Sequence, residues 1–171
     1  MAPAPAAPAS APASARTAPI SGPAPAPAGG WPRRWLQQEP LLERQHDRLE
    51  ALLASLIQQH REPLAPERLV ATDQAEQLAC RRLLWDLRLH LRLEERWLKT
   101  AGALCSGHSG GHQEAARAAL SQYCQASGSR RARLAWLQEL HSWFAAHRRG
   151  PDAMAYGLAR ERSAAQAAAG A

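Results

Sequence analysis

Residues 83–98 read LLWDLRLHLRLEERWL and indicate a helix. Apolar side chains recur there at steps of three and four, the spacing that places residues on one face of an α-helix. That face carries, in chain order, Leu83, Leu87, His90, Glu94 and Leu98. A histidine and a carboxylate four residues apart therefore point the same way from the middle of an apolar stripe.

Three other segments show the same periodicity and no segment alternates as a half-buried strand would. Their stripes contain Leu42, His46, Leu49, Leu53, Leu56 and His60 in the first segment, His108, His112, Ala115, Ala119 and Tyr123 in the third, and Leu137, Leu140, Phe144 and His147 in the fourth. We therefore expect an all-α protein, an up-down-up-down four-helix bundle followed by a short C-terminal helix.

Two of the helix boundaries have sequence signals of their own. Asp73 and Glu76 resemble a capping box, so the second helix is expected to start at Asp73, or earlier at Pro66. Gly150 and Pro151 come in the order that ends a helix, so the fourth helix is expected to stop there. A short helix would then run to about position 162.

The two ends of the chain do not look like parts of a folded domain. Residues 1–30 hold eight of the thirteen prolines and a single charged side chain, which favours a disordered, extended arm. We predict that the bundle occupies residues 31–163 and that residues 164–171 form a disordered tail.

Composition and charge narrow the class of protein. The net charge of +6 comes almost entirely from arginines scattered among acidic residues, so nucleic-acid binding is not expected. Three cysteines without a CxxC pair argue against a disulfide framework, although Cys105 could be a thiolate ligand instead of a packing residue. Without a secretory signal or a membrane-length apolar run, we expect a soluble cytoplasmic protein.

Seven side chains on the inward faces or at the expected helix stop are candidate metal ligands. They are His46, His90, Glu94, His108, His112, His147 and Asp152. Burying five imidazoles and two carboxylates in one bundle would be severely unfavourable without a cation. Imidazole with carboxylate suits iron, zinc, nickel or copper, and the absence of thiolate argues against a structural zinc site. Seven ligands exceed the needs of one ion, whereas two ions bridged by the carboxylates use them all.

Two histidines and one rival architecture are set aside. His60 lies roughly 21 Å from His46 along the helix axis, and His141 points roughly 120° away from His147. A ferritin-like di-iron bundle requires two Glu-x-x-His motifs. This chain has one, Glu43 with His46, so the ferritin-like architecture is disfavoured.

The ligand segments, taken together, resemble a known family. These are LLERQHDRLEALL around His46, HLRLEE from His90, the HxxxH of 108–112 and WFAAHRRGPD from Trp143. Over roughly residues 38–160 the chain is similar to hemerythrins, specifically bacteriohemerythrins.

The resemblance implies a non-haem di-iron centre with an oxo or hydroxo bridge, which binds dioxygen at an open position of the iron that has two histidines. The implied ligands are His108, His112 and His147 for one iron, His46 and His90 for the other, and Glu94 and Asp152 as bridges. By matching position, Leu49, Leu91, Trp143 and Phe144 would line an apolar oxygen pocket. Arg148 stands where the family has a bulky apolar residue, and its charge either extends outward or admits water.

From this resemblance we expect an oxygen-binding protein for storage, delivery or sensing, and not an enzyme, although weak oxidase or peroxidase activity is compatible with it. A rival interpretation is a di-iron oxidase or peroxidase, or an enzyme that handles nitric oxide or peroxide. A third is a metal-dependent interaction module with a protein partner.

Overall fold

The computed structural model describes residues 38–63 and 69–169. The predicted disordered arm of residues 1–30 lies outside this part of the chain. The described residues form helices and no strand, which confirms the all-α prediction. The helices are α1 (Glu39–Arg61), α2 (Leu69–Thr100), α3 (Ser106–Ala126), α4 (Arg130–His147) and α5 (Ala153–Ala169), and Arg148–Asp152 form one π-helical turn between α4 and α5.

The first four helices form a closed bundle. Helix α1 packs against α2 and α4, and α3 packs against the same two helices on the opposite side. Because successive helices are joined by short connections, neighbours in the chain are neighbours in space. Helix α5 follows the π-helical turn and packs against α2.

The apolar core is divided into two clusters with the polar ligand residues between them. On α1, Leu42 belongs to one cluster and Leu49 to the other, and His46 lies between the two. On α2, Leu91 and Trp97 belong to opposite clusters on either side of the ligand position. Fully burying one such side chain contributes about 1.5–3 kcal/mol, so both clusters stabilise the helices that hold the site.

Two helix ends follow from short-range chemistry. Helix α2 ends at Thr100, and two residues later Gly102 adopts a left-handed conformation with φ 69°. Helix α3 begins after Cys105, whose Sγ accepts a hydrogen bond from the backbone N–H of His108 at 3.3 Å. Cys105 is therefore the N-cap of α3, and its side chain is exposed instead of packed in the core.

The predicted capping box at the start of α2 is wrong. The helix already runs from Leu69, and both carboxylates of the supposed box, Asp73 and Glu76, bind Arg133 of α4 instead. Arg133 is fully buried, and a buried guanidinium requires carboxylate partners. His60 completes this group, with Nε2 3.4 Å from a carboxylate oxygen of Glu76.

The predicted stop at Gly150 and Pro151 is also wrong. Pro151 has no N–H to donate, but the chain passes it in a π-helical turn and enters α5 directly. Gly150 does not take the left-handed conformation of a helix end. Helix α5 then extends to Ala169, so residues 164–169 of the predicted disordered tail are helical. Their alanines, which have the highest intrinsic helix propensity, account for the extension.

Candidate metal centre

The structure brings the seven predicted ligand side chains together, and each is buried. Their donor atoms form two groups, within each of which all the atoms lie within 4.8 Å of one another. One group consists of His108, His112, His147 and Asp152, and the other of His46, His90 and Glu94. His60 and His141, which were set aside on geometry, belong to neither group.

Glu94 on α2 lies between the two groups. Its Oε2 is 3.6 Å from Nε2 of His90 and 3.6 Å from Nε2 of His112. Its Oε1 is 3.9 Å from Nε2 of His46. One carboxylate therefore faces imidazole nitrogens from three helices.

Asp152 faces both groups because of the π-helical turn. Five residues along a regular α-helix, Asp152 would point roughly 140° away from His147. Hydrogen bonding from i to i+5 instead brings the two to the same side. Oδ1 of Asp152 is 3.0 Å from Nε2 of His147 and 3.3 Å from Nε2 of His108. Its Oδ2 is 3.2 Å from Nε2 of His46.

The cluster is short of hydrogen-bond partners. Buried polar atoms without a partner among the described residues include His46 Nδ1 and Nε2, His90 Nε2, both carboxylate oxygens of Glu94, His108 Nε2, His112 Nδ1 and Asp152 Oδ1. Leaving a buried polar atom unsatisfied costs about 1–3 kcal/mol. In this cluster, imidazole nitrogens and carboxylate oxygens face one another, and a metal cation between them would coordinate both kinds of atom. This set of donor atoms therefore fits metal ions.

The protonation states of the metal-free cluster follow from burial and mutual charge. Burial, reinforced by neighbouring imidazoles, lowers the pKa of His90 and of His112 to about 3, so both are neutral, the form that binds a metal. Burial and the charge of Asp152 raise the pKa of Glu94 to about 9. Burial also acts to raise the pKa of Asp152, but the imidazoles of His147 and His46 hold it below its ordinary value.

The imidazoles are oriented from outside by residues that spacing alone did not reveal. Nδ1 of His90 is 3.1 Å from the side-chain oxygen of Gln45, and Nδ1 of His112 is 3.4 Å from a carboxylate oxygen of Glu95. The side-chain oxygen of Gln45 fixes the ring of His90 and leaves its Nε2 for an ion, whereas Glu95 lies near Nδ1 of His112 without a hydrogen bond to it. Gln45 adjoins His46 in sequence but serves a histidine on the next helix, so only the fold could reveal the pair.

Arg148 extends outward and does not join the predicted oxygen pocket. Its guanidinium binds the carboxylates of Glu43 at 3.0 Å, Asp47 at 2.7 Å and Glu50 at 2.8 Å, all on α1. Burying a guanidinium is costly, so Arg148 instead pairs at the partly exposed surface with three acidic side chains that lie one turn apart on α1. Glu43 also lies 3.5 Å from Nδ1 of His46, so it supports that histidine from outside.

Two of the four apolar residues predicted to line the pocket adjoin the group with two histidines. Leu49 is buried and, with His90, lines a small cavity of about 120 Å³. The ring of Phe144 is 5.7 Å from that of His46 and 6.0 Å from that of His90. Both side chains therefore place apolar surface beside this group.

The other two apolar residues adjoin the group with three histidines. Trp143 stacks on His147, with ring centroids 4.8 Å apart and an interplanar angle of 21°. Leu91 lines a surface cleft together with His112. The four residues therefore flank both groups of the centre.

The buried tyrosine Tyr156 of α5 was missed by the sequence reasoning. Its ring lies 5.8 Å from that of His46 and 4.7 Å from that of Trp97. Burial, with the nearby charge of Glu94, raises the pKa of its hydroxyl. Because α5 was expected to be short and separate, nothing in the spacing marked this residue as part of the surroundings of the centre.

Comparison of the chain with known protein families, with curated proteins and with solved structures gives no match. The class of protein therefore follows from fold and site: a helical bundle whose buried histidine, glutamate and aspartate groups could hold metal ions. None of its described helices combines the length and the apolar character needed to cross a bilayer.

Proposed function

We propose that the chain is a hemerythrin-like, non-haem di-iron protein that binds dioxygen reversibly, for storage, delivery or sensing. The observation that carries the proposal is the position of Glu94 and Asp152 between the two histidine groups. Each carboxylate lies no more than 3.9 Å from imidazole nitrogens of both groups. Carboxylates shared in this way would hold two cations side by side, as in other di-iron bundles.

The chemistry of the donors suits iron and disfavours a closed structural zinc site. The two groups offer imidazole nitrogen and carboxylate oxygen and no sulfur, and a closed structural zinc site commonly uses thiolate. His108, His112 and His147 would hold one iron, His46 and His90 the other, and Glu94 and Asp152 both.

The unequal number of histidines supports the binding of a small ligand on one side. The group of His46 and His90 has one imidazole fewer than the other, and Phe144 and Leu49 lie beside it. When bound, iron would supply the open coordination position and the electrons that dioxygen binding needs. The apolar side chains would exclude water and protons, whose entry would make oxidation irreversible.

The outward position of Arg148 supports binding over an oxidase or peroxidase activity. A guanidinium beside the ions would bring water and a proton donor to them, whereas its ion pairs with α1 keep it at the surface. The enzyme interpretation therefore has no specific observation in its favour, and it becomes one outcome of the experiment.

The experiment is anaerobic reconstitution of the full chain with ferrous iron, followed by cycles of oxygenation and deoxygenation. We expect about two irons per chain, and a visible absorption band that appears with oxygen and disappears without it. His90→Gln should lower the iron content, while His141→Gln, a histidine outside both groups, should not. Immediate irreversible oxidation with turnover of peroxide would favour the enzyme, and a chain that binds no iron would exclude both functions.

A further inference from the structure

A basic cleft lies on the surface between α2 and α3. It has a volume of about 300 Å³ and is lined by Arg88 and Arg92 from α2 and by Arg117 from α3. All three arginines are exposed. Leu91 and Ala116 form the apolar part of its wall, and the three arginines provide its positive charge.

The three guanidinium groups are not neutralised by the carboxylates of the described residues. Nε of Arg92 donates to the backbone oxygen of Arg88 at 3.2 Å, and Nε of Arg117 donates to that of Gln113 at 3.2 Å. These bonds hold both side chains along their own helices and leave their Nη atoms available to a ligand. Arg148, in contrast, binds three carboxylates on α1.

The cleft reaches the metal centre at one point. His112 and Glu95 line it, and Glu95 is its only acidic residue. Oε1 of Glu95 accepts a hydrogen bond from Ser109 Oγ at 3.3 Å and lies 3.4 Å from Nδ1 of His112. That Nδ1 has no hydrogen-bond partner of its own, and His112 is 1 % exposed. Three positive side chains therefore surround one carboxylate that is already engaged with its neighbours.

We propose that this cleft binds a small oxyanion, a phosphate or carboxylate group, between Arg88 and Arg92 on one side and Arg117 on the other. Guanidinium groups present paired N–H donors in a fork that matches such anions. The site does not depend on the proposed oxygen binding. Because Glu95 contacts both the cleft and a ligand histidine, however, anion binding and ion binding should influence each other reciprocally.

The test is calorimetric titration of the full chain as purified, without chelation, with inorganic phosphate at constant ionic strength and with acetate as the carboxylate arm. We expect saturable binding of at least one of the two anions with a dissociation constant below about 1 mM. The double variant Arg88→Gln/Arg117→Gln should bind at least about tenfold more weakly. Arg61→Gln/Arg131→Gln removes the same charge from exposed positions outside the cleft and should keep the original affinity.

Two results would overturn the proposal. One is the absence of saturation by both anions up to about 10 mM, and the other is equal weakening in both double variants, which would reveal only an effect of net charge. Should the first double variant fail to fold by circular dichroism, Arg88→Gln alone decides, because that exposed side chain has no carboxylate partner among the described residues. Iron content measured on the same variants separates a failure of the anion site from a failure of the di-iron centre.

Discussion

Removing the proposed metal ions should destabilise this protein strongly, because the ligand cluster has few other partners. Six unsatisfied donor atoms face the interior of the cluster: His46 Nε2, His90 Nε2, the two oxygens of Glu94, His108 Nε2 and Asp152 Oδ1. At the lower bound of about 1 kcal/mol each, they cost about 6 kcal/mol in the metal-free state. That is comparable with the whole stability of an ordinary domain, about 5–15 kcal/mol.

The effect should be visible in thermal unfolding. For a chain of this size 1 kcal/mol corresponds to about 2–4 °C in Tm, so chelation should lower the Tm by about 10–25 °C. The assay is circular dichroism of the iron-loaded and chelated full chain at equal ionic strength. Equal melting temperatures in the two states would refute the reasoning, because the cluster would then have satisfied its donors without an ion.

The variant His112→Ala tests whether bound ions stabilise α3. In His112→Ala, the first turns of this helix, which contain Gly110 and Gly111, lose their tether to the ions, so the Tm of the iron-loaded form should fall. His141→Ala, which removes a partly exposed imidazole outside both groups, should leave the difference between loaded and chelated protein unchanged. An equal fall in both variants would show that the loss is not connected with the ions.

Three further predictions concern protons and backbone. Because burial raises the pKa of Glu94 to about 9 in the metal-free chain, ion binding should release a proton below that pH, and the affinity for the ion should fall as the pH falls. Calorimetry in buffers of different ionisation enthalpy measures the number of protons released, and a value of zero would contradict the prediction. Gly110→Ala should stabilise the protein by about 1 kcal/mol in thermal unfolding, because an added Cβ meets open space inside a helix. Burial lowers the pKa of His60 in the folded chain. The stability that His60 contributes is therefore fully present above the pKa of about 6.5 of the unfolded chain, and it is lost as the pH falls towards the lower pKa of the folded chain. The hydrogen bond from Arg133 lowers the pKa of Asp73, so the free energy of unfolding should decrease further below about pH 3.8. Urea unfolding of the metal-free chain should therefore show a stability that falls from neutral to acid pH, and the fall should be smaller in His60→Gln.

The fold class was predictable because the helical period is a local property. The stripe of α2 and the paired histidines of α3 are readable from spacing, since four residues return a side chain to the same face of a helix. The helix boundaries were less predictable. Asp73 and Glu76 have the spacing of a cap, but their actual partner is Arg133, sixty and fifty-seven residues away in the chain. A local pattern contains no information about such a partner.

By itself, the sequence determined the helical segments and six of the seven candidate ligands, because these depend on periodicity along one chain segment. Asp152 was a candidate because it follows the expected helix stop. Only the tertiary structure decided how the ligands divide into two groups, which acceptor holds the outer nitrogen of His90, and where Arg148 points. It also replaced the expected helix end by a π-helical turn, which is what turns Asp152 towards both groups. The physical reason is that these features depend on contacts between helices, and on the cost of leaving buried charges and polar groups without partners.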